Sequence, residues 1–323
     1  MKIGYHASHE QFGPAQLLEL ARLAQVHGFE GILSSDHFQP WTHAQGHSGF
    51  SLSWLGAALA LTDISCGVVC APGQRYHPAV LAQAGATLAE MFPGRFWIAA
   101  GSGQMLNEGI TGQAWPEKTQ RNQRLKECVD VMRLLWSGET VSHRGMVTVE
   151  SARLYETPEP PPIIGAALSP ETAAWMGSWA DGLITVSRPQ DELRQVVEAF
   201  RDNGGRDKPM YLKTQVSYAR KADDAVGGAF DQWHANIFSS AVQTRLASPE
   251  EFEAASKFVT PDDLFKHVRI SSDVEEHVRW LRSDFEMGFQ HVYVHNVNRG
   301  QREFIEDFGA GVLPELVGQH AET

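Results

Sequence analysis

The stretch KIGYHASHEQFGPAQLLELARLAQVHGFEGILSS, residues 2–35, predicts a strand, a helix and a second strand in succession. A short β-rich segment at residues 2–7 is followed by a stretch with the spacing of an amphipathic helix. The apolar face of that helix consists of Leu17, Leu20, Ala21 and Ala24. The run GILSS at residues 31–35 is the second strand. The stretch is therefore a βαβ unit, whose two strands lie parallel in one sheet.

The same alternation of strand and helix continues along the chain. Strands are predicted at residues 2–7, 31–35, 65–71, 95–100, 162–167, 182–187, 210–218 and 290–295. Helices with one apolar face lie between them. Eight such units in 323 residues fit an α/β barrel of ~250 residues with insertions. We therefore predict the α/β class and a single (β/α)8 TIM barrel domain covering residues 1–323.

Two stretches depart from the alternation. Residues 138–161, which end in a proline cluster, predict a hairpin or loop insertion. Residues 220–262 have a mostly helical pattern and are a candidate lid. Insertions that follow barrel strands usually carry substrate selection, because they surround the end of the barrel at which chemistry occurs.

Composition excludes several classes of partner. The chain has 27 Lys and Arg against 39 Asp and Glu, a net charge of −12, and no basic stripe, so no nucleic-acid partner is expected. No apolar run approaches ~18 residues, and the N-terminus soon turns polar, so we expect a cytoplasmic protein outside membranes. The three cysteines are expected to be buried free thiols. His43 and His47 lie four apart, but glycines interrupt the helix and no carboxylate completes a set, so no metal site is predicted.

Candidate catalytic residues follow the second predicted strand directly. Asp36, His37 and Trp41 place an ionisable pair and an indole at the rim where barrel enzymes carry out chemistry. The alternative for His37 is a structural hydrogen bond to a neighbouring loop. We favour a chemical function, with Asp36 as a candidate to orient the imidazole. His6 is a further candidate for the same mouth.

Two later segments suggest a cofactor site. GSG at residues 101–103, followed by Gln104 and Asn107, lacks a dinucleotide fingerprint but leaves room for a flat ligand near the backbone. Asn107 is suited to hydrogen-bond the edge of that ligand. SPET at residues 169–172 opens a helix, and its free amides favour an anion such as a phosphate. Capping of the helix without a ligand is the alternative.

Short motifs spread over nearly the whole chain form a recognisable set. They are DHFQPW at 36–41, SLSW at 51–54, RY at 75–76 with PAV at 78–80, LNE at 106–108, WPE at 115–117 and MRLLWSG at 132–138. With these motifs the sequence resembles the luciferase-like flavin and deazaflavin oxidoreductases. Within them it is similar to the deazaflavin-dependent glucose-6-phosphate dehydrogenases.

The resemblance implies a barrel, often in a homodimer, that holds the isoalloxazine ring of a flavin-type cofactor. It implies a kink or a non-proline cis peptide after the third strand, near Val69 and Cys70. By resemblance the catalytic set is His37, Asp36 and Trp41, with His37 beside the ring and Trp41 as an aromatic wall. The implied cofactor-binding set is Asp36, Val69, Cys70, Gln104, Asn107, Ala167, Leu168, Ser169 and Thr172.

Several positions depart from those sugar-phosphate enzymes. Gln104 stands where they carry a glutamate, and an amide cannot exchange a proton at neutral pH. Leu168 and Ser169 stand where paired glycines are expected. The positions that bind the sugar phosphate through two lysines and an arginine are here Pro189, Ala254 and His267. We therefore expect a small organic substrate other than glucose 6-phosphate.

The departures also bear on the cofactor and the reaction. They favour FMN as the cofactor, with the deazaflavin coenzyme F420 as the alternative. The predicted function is a flavin-dependent oxidoreductase that transfers a hydride between cofactor and substrate. A luciferase-like flavin monooxygenase is one alternative. A flavin-binding protein without catalysis is the other, because the change at Gln104 removes a proton donor.

Overall fold

Eight parallel strands close into a barrel in the computed structural model, which describes residues 1–317. Together with three strands outside the barrel, β5, β6 and β10, the strands of the described residues are β1 (Lys2–Ala7), β2 (Gly31–Ser35), β3 (Ser65–Cys70), β4 (Phe96–Ala100), β5 (Val141–Arg144), β6 (Thr148–Ala152), β7 (Ile163–Ala166), β8 (Gly182–Val186), β9 (Met210–Ser217), β10 (Arg269–Ile270) and β11 (His291–Asn296). Around the barrel the order is β1-β2-β3-β4-β7-β8-β9-β11, and β11 pairs with β1. All eight predicted strands are confirmed, with ends shifted by about a residue at most. The last part of the predicted domain, residues 318–323, lies outside the described residues.

Helices cover the outside of the barrel and extend its insertions. They are α1 (Pro14–Val26), α2 (Ser51–Leu61), α3 (Pro78–Met91), α4 (Met105–Glu108), α5 (Lys118–Trp136), α6 (Pro170–Gly177), α7 (Gln190–Phe200), α8 (Ala222–Trp233), α9 (Ser240–Gln243), α10 (Pro249–Ala255), α11 (Pro261–Leu264), α12 (Val274–Glu286), α13 (Gln301–Gly311) and α14 (Leu313–Val317). Helix α1 buries the four residues predicted for its apolar face. Among the described residues, none of the helices has both the length and the apolar character to cross a membrane.

An aromatic layer fills the lower interior of the barrel. Trp97, Tyr211 and Tyr293 project inward and pack together, with the Trp97 and Tyr211 ring centroids 4.8 Å apart. Two glycines make room for this layer, because a Cβ on Gly67 would collide with the Trp97 indole and one on Gly4 with the Tyr293 ring. Open space lies above the packed layer, toward the carboxyl ends of the strands.

The two insertions have the structures expected from their patterns. Strands β5 and β6 form an antiparallel hairpin within residues 138–161. Residues 220–262 are mostly helical and carry α8, α9, α10 and the start of α11. Part of this helical insertion, residues 233–246, lies at the carboxyl-terminal end of the barrel and borders its cavity. Movement of the insertion as a lid remains a prediction.

The expected kink after the third strand is absent. Val69 and Cys70 continue the regular parallel ladder with Ala99 and Ala100 of β4, and Val69 also pairs with Ser35 of β2. Every peptide bond within residues 1–317 is trans. The expectation of a kink or cis peptide at this point is therefore wrong for this structure, because pairing on both sides holds the strand in register up to its end.

Candidate active site

A cavity of about 1400 Å³ opens at the carboxyl-terminal ends of the barrel strands. Its wall is built from the ends of six strands and from residues 233–246 of the helical insertion. Every predicted site residue lines it: Asp36, His37, Trp41, Val69, Cys70, Gln104, Asn107, Ala167, Leu168, Ser169 and Thr172. The structure thus brings the whole set together around one space, and the role of each residue remains a prediction.

His37 and Glu10 form a largely buried polar pair in this wall. His37 Nε2 lies 3.4 Å from Glu10 Oε1, and the two side chains are only 14% and 4% exposed. Glu10 Oε2 accepts hydrogen bonds from the hydroxyls of Ser35 at 2.6 Å and Ser8 at 2.8 Å. Sequence analysis missed Glu10. Glu10 lies just beyond β1, and β1 pairs with β2, the strand that precedes His37. This position was the signal that could have identified Glu10 from the sequence.

The pair is arranged so that each member controls the charge of the other. Burial lowers the pKa of His37 below its usual value, and the negative charge of Glu10 opposes this only in part. Burial acts to raise the pKa of Glu10, but His37 and the Ser35 hydroxyl outweigh it, so that pKa lies below its usual value. At neutral pH the pair is therefore a neutral imidazole beside a carboxylate. Such a pair can accept a proton, because the imidazolium formed would lie next to a negative charge.

Trp41 fixes the position of the His37 ring. The two ring centroids are 4.8 Å apart, and Trp41 also packs edge-on against Phe252 of α10, with their centroids 5.0 Å apart. The helical insertion thus supports the catalytic candidate through an aromatic contact. His37 Nδ1 is buried and has no hydrogen-bond partner among the described residues, so one ring nitrogen has no bond to the protein.

Asp36 does not orient His37. Its Oδ2 accepts a hydrogen bond from Arg75 at 2.8 Å and its Oδ1 one from Tyr76 at 2.9 Å. Arg75 is itself held from the other side by Glu108, whose Oε2 accepts from the Arg75 backbone N–H at 2.8 Å. The candidate orienting role is corrected: Glu10, and not the adjacent carboxylate, faces the imidazole. Both oxygens of Asp36 instead anchor the segment at residues 75–76.

Asn107 couples the catalytic segment to the cofactor side of the cavity. Its Oδ1 accepts a hydrogen bond from the Phe38 backbone N–H at 2.9 Å. The same amide therefore holds residues 36–41 in place, and its NH₂ group remains for a ligand. Gln104 precedes α4 and lines the cavity without a side-chain cap bond to that helix. Both amides line the cavity, and their contacts along a ring edge remain a prediction.

The amino terminus of α6 forms the other end of the cavity. Ser169 Oγ accepts a hydrogen bond from the Thr172 backbone N–H at 3.3 Å, so the capping interpretation is confirmed. Both residues also face the cavity, where an anion at the helix terminus remains a prediction. Cationic side chains that were not predicted from the sequence also line this cavity, among them Lys118, Arg121, Arg188 and Arg245. Lys118 Nζ donates to the Ser102 hydroxyl at 2.8 Å, which brings a cation to the GSG turn.

The three positions expected to replace a sugar-phosphate site are spread apart. His267 lines the cavity, whereas Ala254 is exposed on α10 and Pro189 caps α7. Neither Pro189 nor Ala254 contributes to the cavity wall. The residue beside Pro189, Arg188, does so and donates a hydrogen bond to the Leu168 carbonyl at 2.6 Å.

Comparisons with known proteins agree with the geometry. The sequence profile of the luciferase-like monooxygenases matches residues 1–291. The chain is 36% identical to an F420-dependent glucose-6-phosphate dehydrogenase of Nakamurella multipartita, with 99% of this chain and 98% of that protein covered. A solved F420-dependent secondary alcohol dehydrogenase, in complex with an F420-acetone adduct, matches with a TM-score of 0.89 and 29% identity over 98% of each chain. An FMN complex of the oxygenating constituent of 3,6-diketocamphane monooxygenase from Pseudomonas putida shares the fold, with a TM-score of 0.73 and 17% identity over 98% of each chain.

Proposed function

Because the chain belongs to the luciferase-like monooxygenase family, we propose that it is an F420-dependent dehydrogenase that oxidises a small alcohol. The family resemblance carried by the sequence motifs is confirmed. So is the predicted class, an oxidoreductase that transfers a hydride between a flavin-type cofactor and a small organic substrate. The observation that carries the proposal is the enclosed His37–Glu10 pair, since it is suited to take the proton that an alcohol loses on oxidation.

The cavity fits a flavin-type cofactor. The end of β3 offers a wall at Val69 and Cys70, and the Asn107 amide offers a donor for a ring edge. At the opposite end, the α6 terminus and Lys118 supply backbone N–H groups and a cation for a phosphate. These are the three requirements of such a cofactor: a stacking surface, polar edge contacts and a phosphate site.

F420 is a better match than FMN, which the sequence alone favoured. The side chain of FMN ends at its phosphate, whereas that of F420 continues into a lactyl-glutamate chain with further carboxylates. The cavity carries more cations than one phosphate requires, including Arg121 and the largely exposed Arg245. The activities of the relatives reported above support the same choice.

The protein residues of the pair handle the proton of the reaction. When bound, F420 would supply the acceptor for the hydride that leaves the carbinol carbon of the substrate. His37 accepts the proton of the substrate hydroxyl, and the carbonyl compound forms as that O–H bond breaks. Glu10 stabilises the imidazolium, and Trp41 limits the access of water to the pair.

The proposal is tested by titrating the purified protein with F420 and, separately, with FMN. We expect tighter binding of F420 and its reduction by a secondary alcohol without uptake of oxygen. Arg245→Met should weaken F420 binding a few-fold and leave FMN unchanged, since an exposed charge contributes ~0–1 kcal/mol. Tighter binding of FMN, or substrate-dependent consumption of oxygen, would contradict the proposal and favour the monooxygenase alternative.

A further inference from the structure

A lysine projects into the interior of the barrel above the aromatic layer. Along β9, alternate side chains face the same side, so Tyr211, Lys213 and Gln215 all point inward. Tyr211 belongs to the aromatic layer, and both Lys213 and Gln215 line the cavity. Leu212 and Thr214, on the other face, are fully buried in the outer packing. The strand therefore carries the Lys213 ammonium into the cavity near its floor.

This ammonium group has no hydrogen bond or ion pair with the protein within residues 1–317. The Trp233 indole lies beside it, with the ring centroid 5.5 Å from Nζ. Gln215, the next inward residue, is engaged by the Ser187 hydroxyl at 2.9 Å. A cation with three free N–H groups in a largely enclosed space favours a ligand that accepts hydrogen bonds.

The groups around Lys213 leave its positive charge only partly balanced. Among residues 1–317, Glu10 is the acidic group whose charge acts on Lys213, and the Glu10 carboxylate already contacts His37 and Ser35. His6 and His295 face the same space, and burial, reinforced by Lys213, lowers the pKa of both well below the usual value. They are therefore neutral. The site thus offers one ammonium among uncharged imidazoles, which suits a single negative charge better than a doubly charged phosphate.

Lys213 and His37 belong to one polar cluster. Glu10 acts on both, and Lys213 and His37 each line the cavity. A ligand that binds both groups would present an anionic oxygen to Lys213 and a hydroxyl to His37. Trp41 and Trp233 border the same space and offer an apolar surface for a hydrocarbon substituent.

We propose that Lys213 binds the carboxylate of the substrate, and that the substrate is a small 2-hydroxy acid with an apolar substituent. The inference rests on the proposed function for its redox step. In that step the C–H bond at the 2-position breaks and its hydride passes to the deazaflavin, which is reduced. The hydroxyl proton passes to His37, and the 2-hydroxy acid becomes a 2-oxo acid whose carboxylate is unchanged.

The test compares each acid with its uncharged amide. Isothermal titration of 2-hydroxyisocaproate and of its primary amide, with and without F420, should show a preference of the wild type for the acid of about 10–100-fold. Lys213→Met should abolish that preference, and Lys213→Arg should keep most of it. Lys257→Met, the same change at an exposed position, should behave as wild type. Circular dichroism of each variant reports whether it is folded.

Three results of the binding experiment would overturn the inference: equal binding of acid and amide by the wild type, no binding of either, or an unchanged acid preference in folded Lys213→Met. If Lys213→Met does not fold, the wild-type comparison and Lys213→Arg decide the question. Reduction of F420 by neutral alcohols without any preference for acids would overturn this inference and leave the proposed function standing. A preference for acids in a protein that binds no F420 would overturn the proposed function and leave the carboxylate site at Lys213 standing.

Discussion

Replacing Glu10 by glutamine is the sharpest test of the proton-handling pair. Glu10→Gln keeps the shape of the side chain and its capacity to bond Ser8 and Ser35, and removes its charge 3.4 Å from His37. At that distance and an effective dielectric constant of ~20, two unit charges attract by about 5 kcal/mol. Lys213 and local rearrangement will offset part of this, so we expect kcat/KM to fall roughly 10²-fold, which corresponds to ~2.7 kcal/mol.

The pH dependence of the rate shows whether Glu10 acts through His37. Activity requires the neutral imidazole, so it is lost as the pH falls through the pKa of His37. Glu10 raises that pKa against the effect of burial, and its neutralisation must therefore move the acid limb to lower pH. A variant that lost activity only through altered packing would keep the acid limb of its pH profile at the same pH as the wild type.

The assay is the pH profile of F420 reduction under saturating cofactor, with F420 affinity measured in parallel. Glu10→Asp, which keeps the charge, should lose less activity than Glu10→Gln. Glu19→Gln on the exposed side of α1 serves as the matched control and should be indistinguishable from wild type. A Glu10→Gln enzyme within about threefold of wild type at every pH would refute the reasoning, since the charge would then contribute less than ~1 kcal/mol.

Three further predictions concern the base, the substrate and the core. His37→Ala should slow F420 reduction about 10²–10⁴-fold in stopped-flow measurements while F420 affinity changes only a few-fold; rates close to wild type would make His37 a packing residue. Glucose 6-phosphate should show no saturable turnover in a steady-state assay, because two of the three positions expected for its phosphate lie outside the cavity wall; measurable saturation would contradict this. Trp97→Ala should lower the free energy of unfolding by ~3–5 kcal/mol in urea titrations, since it empties the centre of the aromatic layer; a loss below ~1 kcal/mol would show that the layer collapses around the gap.

The barrel strands were predictable from sequence because they are buried between the outer helices and a filled interior, so most of their residues are apolar. Such strands appear in the sequence as short, mainly apolar runs bounded by turns, as FWIAA of β4 does. The rim residues Asp36, His37 and Trp41 were predictable for a related reason: each follows a strand end. The homodimer and the cytoplasmic location stay predictions.

The parts of the site that sequence reasoning missed depend on distances between strands. Glu10 and His37 follow different strands, and only the parallel register of β1 and β2 brings them together. Lys213 lies within a strand and not at its end, so the search for rim residues passed over it. A charged residue at an inward position of an otherwise buried strand was the signal that could have found it. For Asp36, sequence adjacency to His37 suggested a contact that the fold does not make, because consecutive side chains leave the backbone in different directions.

The aromatic layer has a consequence for the order of events in catalysis. Because Trp97, Tyr211 and Tyr293 fill the barrel below the cavity, cofactor and substrate approach from the carboxyl-terminal side and share that approach. A ligand that extends from the barrel floor to the α6 terminus covers much of this approach, so whichever partner lies deeper must arrive first and depart last. Steady-state kinetics should then show ordered binding of cofactor and substrate. Product inhibition patterns would identify which of the two binds first and leaves last.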